Sequence, residues 1–471
     1  MNTFRKFMSA LAFTGVTALG ITALAGCEGI LNILPPLELA TEGALTNTRG
    51  LETALIGSYS PSGGLADGAL VAGNALKAGE LWSDIVFATS PGFGELQIRN
   101  RTLNFFNDQG RPIWQTGYGL INRVNNILNA VDNGNITDPT FAASKDRIRG
   151  EALFIRGWLH FEIVRYFAQP WGFSADNSHP GIIIRTKPTT SPVGLGQSRS
   201  TVAAVYSQVI NDLQQAEQLL PETNPSGAGR ATKAAAAALL ARVYFQQNDF
   251  TNAAAAAGRV ISTGKFSLTD DPLGPFRNGG TREVVFELVS TTQQDASGAL
   301  IGTFNQADNE PPYLLDPSSP LIPILFPASG TSPDKRRTCY VSRDGQYYVS
   351  KYDVTATKFI MNVPLIRYAE ILLIRAEAAN AAGNSAQALA DVNVVRQRAG
   401  LPALSGISGT ALAQAIQRER MIELAVEGNR FHELKRLRQN IRSTPWNGNQ
   451  AIFKIPDVEV NANPNAAQNP D

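Results

Sequence analysis

The chain has 471 residues, 43% of them hydrophobic and 17% charged, which is enough apolar material for a sizeable core. Lys+Arg 41 against Asp+Glu 40 leaves a formal charge of +1, and no basic run of the kind that grips phosphates occurs, so nucleic acid is excluded as a partner. With only Cys27 and Cys339, neither a disulfide framework nor a cysteine-based metal site is available.

The first residues read as an export signal. Arg5 and Lys6 precede an apolar stretch over 7–24, diluted by Ser and Gly, and Leu24-Ala25-Gly26-Cys27 closes it with small residues. This divides the N-terminus into a signal peptide over 1–26 and a Pro35-Pro36 tether over 27–45. No later stretch is long and apolar enough to span a bilayer.

Beyond the tether, a region over 46–225 opens with a helix at 46–60, followed by a glycine-rich loop at 61–74. The stretch 81–103 has little periodicity but carries Trp82, Asp84, Phe87 and Phe93. Ile113, Ile121, Val124, Ile127, Leu128 and Val131 recur at helical spacing from Pro112 until Gly134. The next helix covers 141–168 and is closed by Pro170-Trp171-Gly172; another covers 197–220 and ends at Pro221. In the remaining region, 226–471, alanine-dense helices over 232–247 and 250–262 flank an Asn248-Asp249 turn. Over 265–363 the helical period vanishes. There 283–290 reads as a strand, and Asp344-Gly345 as a hairpin turn leading into Gln346-Tyr347-Tyr348-Val349.

The stretch 364–400 predicts a helical hairpin. Its first helix covers 365–382 with Pro364 at the first turn, Gly383-Asn384 stops it, and Ser385 caps the return helix. Helices over 410–426 and 430–438, an extended 452–456 and a loose polar tail over 461–471 follow. Three runs, 152–156, 238–242 and 371–375, each end in an arginine (Arg156, Arg242, Arg375), and the two later ones precede a turn and an alanine-rich return helix. That is the pattern of tetratricopeptide-like hairpins, which need neighbours to bury their faces. The fold class is therefore mainly α, with helical-hairpin repeats and a long loop-rich insertion holding short strands. The three arginines are expected to pair with carboxylates between helices rather than to touch a ligand.

Catalytic groups are sparse. His160, His179 and His432 are far apart in sequence with no ligand spacing, and Glu419, Glu423 and Glu427 lie on one helix among arginines rather than facing one another across a substrate. No catalytic residue, metal ligand or cofactor motif is assigned, and the chain is read as a non-enzyme. Aromatic rings beside polar groups in irregular segments suit the C–H faces of sugars. Trp82 with Asp84, Trp171, and Tyr340 with Tyr347 and Tyr348 are the candidate ligand contacts.

Taken together, these residues resemble the SusD/RagB family of outer-membrane lipoproteins. The resemblance is carried by Cys27 in a lipobox-like Leu-Ala-Gly-Cys, by Trp114, Tyr118, Ile121 and Asn125, and by Glu151-Ala152 with Arg156-Gly157-Trp158. Lys351-Tyr352, Arg367-Tyr368-Ala369-Glu370, Asn393 with Arg396, Arg398 and Gly400, Glu419-Arg420, and Glu427-Gly428 with Arg430 continue it. The resemblance implies lipidation at Cys27, a tetratricopeptide-like scaffold with a loop-rich ligand face, and a non-catalytic role. By the same resemblance, the protein binds a glycan or other nutrient, most readily an oligosaccharide, for a SusC-like TonB-dependent transporter at the outer membrane, facing outward. Only Glu28 supplies acidity after Cys27, where family members carry several acidic residues. A protein-binding tetratricopeptide adaptor and a surface glycan hydrolase are the alternatives.

Overall fold

A computed structural model describes residues 41–134, 136–189, 196–277, 279–305, 310–354 and 360–471. The signal peptide, Cys27 and the tether as far as residue 40 lie outside the described residues. The longer helices are α1 (Thr48–Tyr59), α2 (Asn74–Trp82), α3 (Phe93–Asn100), α4 (Gly110–Asn133), α5 (Phe141–Phe167), α6 (Val202–Leu219), α7 (Lys233–Gln246) and α8 (Phe250–Ser262). After the insertion come α9 (Tyr368–Ala381), α10 (Ser385–Arg398), α11 (Gly409–Glu423) and α12 (Arg430–Arg436). Among the described residues no helix is long and apolar enough to cross a membrane.

The helices stack in sequence: α4 packs on α5, α5 on α6, α6 on α7, α7 on α8, α8 on α9, and α9 on both α10 and α11. In α7 every residue from 234 to 245 is buried, so the helix has no polar face and runs through the interior. Its alanines let α6, α8 and α9 approach it closely. Thr232 caps α7 by accepting the Ala235 N–H at 3.2 Å, and Asp249 caps α8 by accepting the Asn252 N–H at 3.1 Å. One hydrophobic cluster runs from Leu51 to Ala466, across the 225/226 division read from the sequence. A satellite cluster, including Leu373, Ala376, Val392, Val395 and Ile416, fills the space between α9, α10 and α11. It is the shared face that the hairpin lacks on its own.

Each arginine of the repeated pattern holds a carboxylate through a two-pronged fork. Arg156 grips Asp212 at 2.9 and 2.7 Å, Arg242 grips Glu370 at 2.8 and 2.7 Å, and Arg375 grips Asp391 at 2.8 and 2.7 Å. These pairs link α5 to α6, α7 to α9, and α9 to α10, as expected for inter-helix ties.

The hairpin at 364–400 differs from its reading at the start. Residues Val363–Arg367 form a strand rather than helix, antiparallel to Val284–Leu288. Proline disfavours helix at the residue before it, and the ladder is irregular around Phe286 and Glu287, next to the position where Pro364 cannot donate. Gly383, at φ 78°, ends α9 as expected, but Asn384 and not Ser385 caps α10, by accepting the Gln387 N–H at 3.1 Å. The strand pair forms a neck. The insertion leaves the stack through Val284–Leu288 and returns through Val363–Arg367, while α8 and α9 remain in direct contact. Inside the insertion, Tyr340–Arg343 and Gln346–Val349 form the expected hairpin, its Asp344-Gly345 turn at φ 52° and 75°. Tyr313–Leu315 pairs with Val86–Ala88, tying the insertion to the N-terminal region. Cys339 is buried and free, and burial pushes its thiol up to about 11.

Two further readings are corrected. The stretch 81–103, read as weakly periodic, holds α3 over Phe93–Asn100, and α2 covers Asn74–Trp82 before it. The C-terminal tail is tied down: the buried Asn469 side chain donates to the Phe167 and Phe453 carbonyls at 2.8 and 2.7 Å, and Asn463 donates to Gln197 O at 2.8 Å.

Candidate functional site

The sequence-derived ligand residues turn mostly inward. Trp82 is fully buried at the end of α2, stacked on Phe431 at 4.8 Å and against Phe453 at 4.5 Å, so no ring face remains for a sugar. Asp84 is taken by Arg430, which donates through Nε and Nη2 at 2.7 Å each. Tyr340 and Tyr348 are buried, the second beneath the Arg343 guanidinium. Tyr347 is half-buried against Phe326, and Trp171 is half-buried against Tyr206. These contacts run to separate partners and do not assemble one platform. The expectation of ligand contact is corrected for Trp82, Tyr340 and Tyr348 by burial, and for Asp84 by its ion pair.

Several C-terminal residues that carry the family resemblance, Lys351, Arg367, Arg398, Glu419 and Glu427, gather at one buried hub. Arg367, at the end of the returning strand, donates to Glu283 at 2.6 Å, to Glu423 at 2.9 Å and to Glu427 at 2.7 and 2.9 Å. Arg398 reaches Glu423 at 2.5 Å, and Arg336 reaches Glu419 at 2.6 Å and Asp334 at 2.6 Å. Lys351 donates to Glu427 at 2.5 Å and to Ala425 O at 2.8 Å. Neighbouring cations hold the Glu423 and Glu427 carboxyls below the usual range despite burial. The corner after α11 extends this hub. Val426 takes a left-handed φ of 63°, rare for a β-branched residue, and its carbonyl accepts the Tyr352 hydroxyl at 2.8 Å. The Gly428 N–H donates to Glu80 at 2.7 Å. Glu419, Glu423 and Glu427 are therefore consumed in structural pairs.

Two of the histidines, His160 and His179, are also engaged. His160 lies between the Arg156 carbonyl, 3.1 Å from Nδ1, and the Arg185 N–H, 3.3 Å from Nε2, and burial lowers it to about 3. His179 is within 3.0 Å of the Gln169 carbonyl. Among the described residues no cluster of His, Cys, Asp and Glu has the arrangement to hold a metal ion.

What the surface does present is a set of phenyl rings that sequence reasoning missed. Phe93 is 70% exposed at the start of α3, and Phe105 and Phe106 are 42% and 58% exposed in the turn before α4. The last two rings lie 4.4 Å apart, inclined at 49°. Hydrogen bonds hold this display in place. Asn104 accepts the Phe106 N–H at 2.9 Å, and the buried Asn107 side chain donates to Gly94 O at 3.0 Å and Gln97 at 2.8 Å. Asn107 thus locks the Phe105-Phe106 turn to the residue after Phe93. Polar groups stand beside the rings. Glu95 accepts from the Gly92 N–H at 2.9 Å and from the Tyr313 hydroxyl, which belongs to the insertion, at 2.6 Å. Asp108 is exposed, and Lys77 is lowered by burial while Glu95 and Asp108 pull it back up. Rings held rigidly beside carboxylates form a surface on which an apolar ligand face can stack and its hydroxyls can bond. The signal that could have revealed it is an apolar pair set inside a turn-forming run, Asn104-Phe105-Phe106-Asn107-Asp108.

Comparison with known proteins agrees with this architecture. Residues 87–245 match a SusD-like family described as starch-binding and associating with the outer membrane, and residues 334–470 match the SusD family. Together the matches cover more than half of the chain. SusD-like protein P2 of Formosa agariphila is 27% identical over 474 residues, covering 89% of each chain. A putative sugar binding protein from Bacteroides vulgatus superposes with a TM-score of 0.79 at 25% identity, over 91% of this chain and 99% of its own. A laminarin binding SusD-like protein superposes with a TM-score of 0.70 at 22% identity, over 90% of this chain and 99% of its own. The chain belongs to the SusD family.

Proposed function

We propose that this protein is a non-catalytic receptor for an oligosaccharide, lipidated at Cys27, which holds its ligand at the outer membrane for a SusC-like TonB-dependent transporter. The observation that carries the reading is the exposed Phe93, Phe105 and Phe106 surface beside Glu95 and Asp108. Sugars offer C–H faces to such rings and hydroxyls to such carboxylates. The starch-binding description of the matching family and the laminarin-binding relative point to the same ligand class. Tyr347, half-buried on the insertion, is an accessory contact in this reading.

Affinity electrophoresis through gels containing starch, laminarin or other glycans tests it. Retardation without release of reducing ends is expected. A Phe105→Ala/Phe106→Ala variant should lose about tenfold in apparent affinity, equivalent to 1.4 kcal/mol. Unchanged retardation in that variant would reject the site, and glycan turnover would reject the non-catalytic role. A Cys27→Ala variant should leave the membrane fraction. Failure of the lipidated protein to co-purify with a large β-barrel protein would count against the transporter partnership.

A further inference from the structure

A second feature lies beneath Trp171, at the corner that closes α5. A cleft of about 10 Å³, the room of one water-sized group, is lined there by Arg165, Gln169, Trp171, Tyr206, His432 and Lys435, among others. Three buried polar atoms among these residues have no hydrogen-bond partner: Arg165 Nε, Gln169 Oε1 and His432 Nε2. The orientation of the Gln169 amide is fixed from outside. Its Nε2 donates to Asn449 Oδ1 at 2.9 Å, and Asn449 in turn donates to Asp471 O at 3.0 Å, which leaves Oε1 as the unengaged acceptor.

We infer that this cleft is a second saccharide contact, in which a sugar ring packs on the half-buried Trp171 and directs one hydroxyl toward Arg165 Nε and Gln169 Oε1. The inference rests on the receptor reading above and adds a site remote in sequence from Phe93, Phe105 and Phe106. A hydroxyl matches the available groups: it accepts from the Arg165 N–H and donates to Gln169, while His432 Nε2 serves either role according to its tautomer. An anionic substituent has no proton for Gln169. The Arg165 guanidinium is already paired with Glu162, burial lowers Lys435 to about 7, and burial together with nearby cations holds His432 well below its usual value. The ligand class is therefore a neutral saccharide, and the hydroxyl takes the position a bridging water would fill in the free protein.

The test uses the full chain with maltohexaose and laminarihexaose, and an oligogalacturonate as the acidic comparison. Calorimetric titration should show Trp171→Ala binding a neutral hexasaccharide roughly tenfold more weakly. Trp171→Phe, which keeps a ring against Tyr206, should restore most of the affinity, and the oligogalacturonate should bind no better than the neutral probes. Crystals soaked in the hexasaccharide should place a sugar oxygen between Arg165 and Gln169. Wild-type affinity in a folded Trp171→Ala, or only a water in the cleft of a ligand-soaked crystal, overturns the inference. If Phe105→Ala/Phe106→Ala then abolishes binding, the receptor reading stands without it; if no probe binds any form of the protein, both fall.

Discussion

Replacing Arg367 with methionine removes the centre of the buried charge hub while keeping an unbranched side chain of similar length. Three carboxylates lose a donor. Glu427 is left with Lys351 at 2.5 Å, Glu283 with Arg398 at 3.4 Å, and Glu423 with Arg398 at 2.5 Å and Arg336 at 3.5 Å. Breaking a buried ion pair by deleting one partner costs about 3–5 kcal/mol, because the other charge stays desolvated. The remaining cations moderate the loss, so about 4 kcal/mol is expected. With an unfolding entropy of about 2.1 cal/mol/K per residue, a chain of 471 residues changes by roughly 1 kcal/mol/K, and the melting temperature should fall by about 4 °C. Scanning calorimetry near pH 7.5 measures this. Arg367→Lys should lose less, since it keeps the charge but not the fork. The deficit of Arg367→Met should shrink near pH 5, because an abandoned carboxylate becomes easier to protonate. A melting temperature unchanged or raised at pH 7.5, or a deficit that does not vary with pH, would refute the assignment of the hub as a stabilising network.

Glu80 gives a prediction of opposite pH sense. Burial raises its carboxyl to about 7 even though the Gly428 N–H favours the charged form. A folded value above the unfolded one contributes stability that is full below about pH 4.5 and is lost as pH rises through 7. At 1.36 kcal/mol per pH unit the difference is about 3 kcal/mol, so Glu80→Gln should raise the melting temperature at pH 8 and change it little at pH 4.5. Equal effects at both would reject the shift. Trp82→Ala should cost about 3–5 kcal/mol through the cavity it opens, with glycan retention unchanged in the folded fraction; selective loss of binding without destabilisation would return Trp82 to the ligand site. Asn469→Ala should cost about 1–3 kcal/mol by stranding the Phe453 carbonyl and leaving Phe167 O with Arg199 alone, read as a shift in the urea midpoint, and no shift would mean that the tail is not held by this side chain.

The long helices were legible because their apolar residues repeat at one period and their ends carry Thr232, Asp249, Gly134 and Gly383. The arginine-ended runs were legible as ties for the same reason, since a buried guanidinium needs a carboxylate wherever it falls. Local signals failed where a distant segment decided the outcome. Pro364 resembles a helix start until Val284–Leu288 is available to pair with it, and the polar tail looks loose until Asn469 finds the carbonyls of Phe167 and Phe453. Exposure was misjudged for several candidates because aromatic size was taken as the signal. Trp82, Tyr340 and Tyr348 proved to be core residues and Trp171 and Tyr347 half-buried, whereas the exposed rings are Phe93 at a helix start and Phe105 and Phe106 in a turn. The C-terminal motif residues Lys351, Arg367, Arg398, Glu419 and Glu427 sit in the hub, and Trp114, Asn125, Glu151 and Arg156 are likewise spent on internal contacts. Recognition of the family therefore says little about the surface that contacts the ligand.

The meeting of α2 with α12 also sets the order in which the molecule can form. Trp82 finds its cover in Phe431 and Phe453, Asp84 finds Arg430, and Glu80 finds Gly428, so the Asp84–Arg430 pair closes a loop 346 residues long. Such remote pairing is slow, because the entropy of closure is spent before its contacts form. A nascent chain that has not yet reached residue 428 exposes the Trp82 face and leaves Glu80 unsatisfied. The end of α2 is therefore completed only when the last tenth of the chain has emerged. A chain exported N-terminus first, as the reading of residues 1–26 expects, would close this contact last.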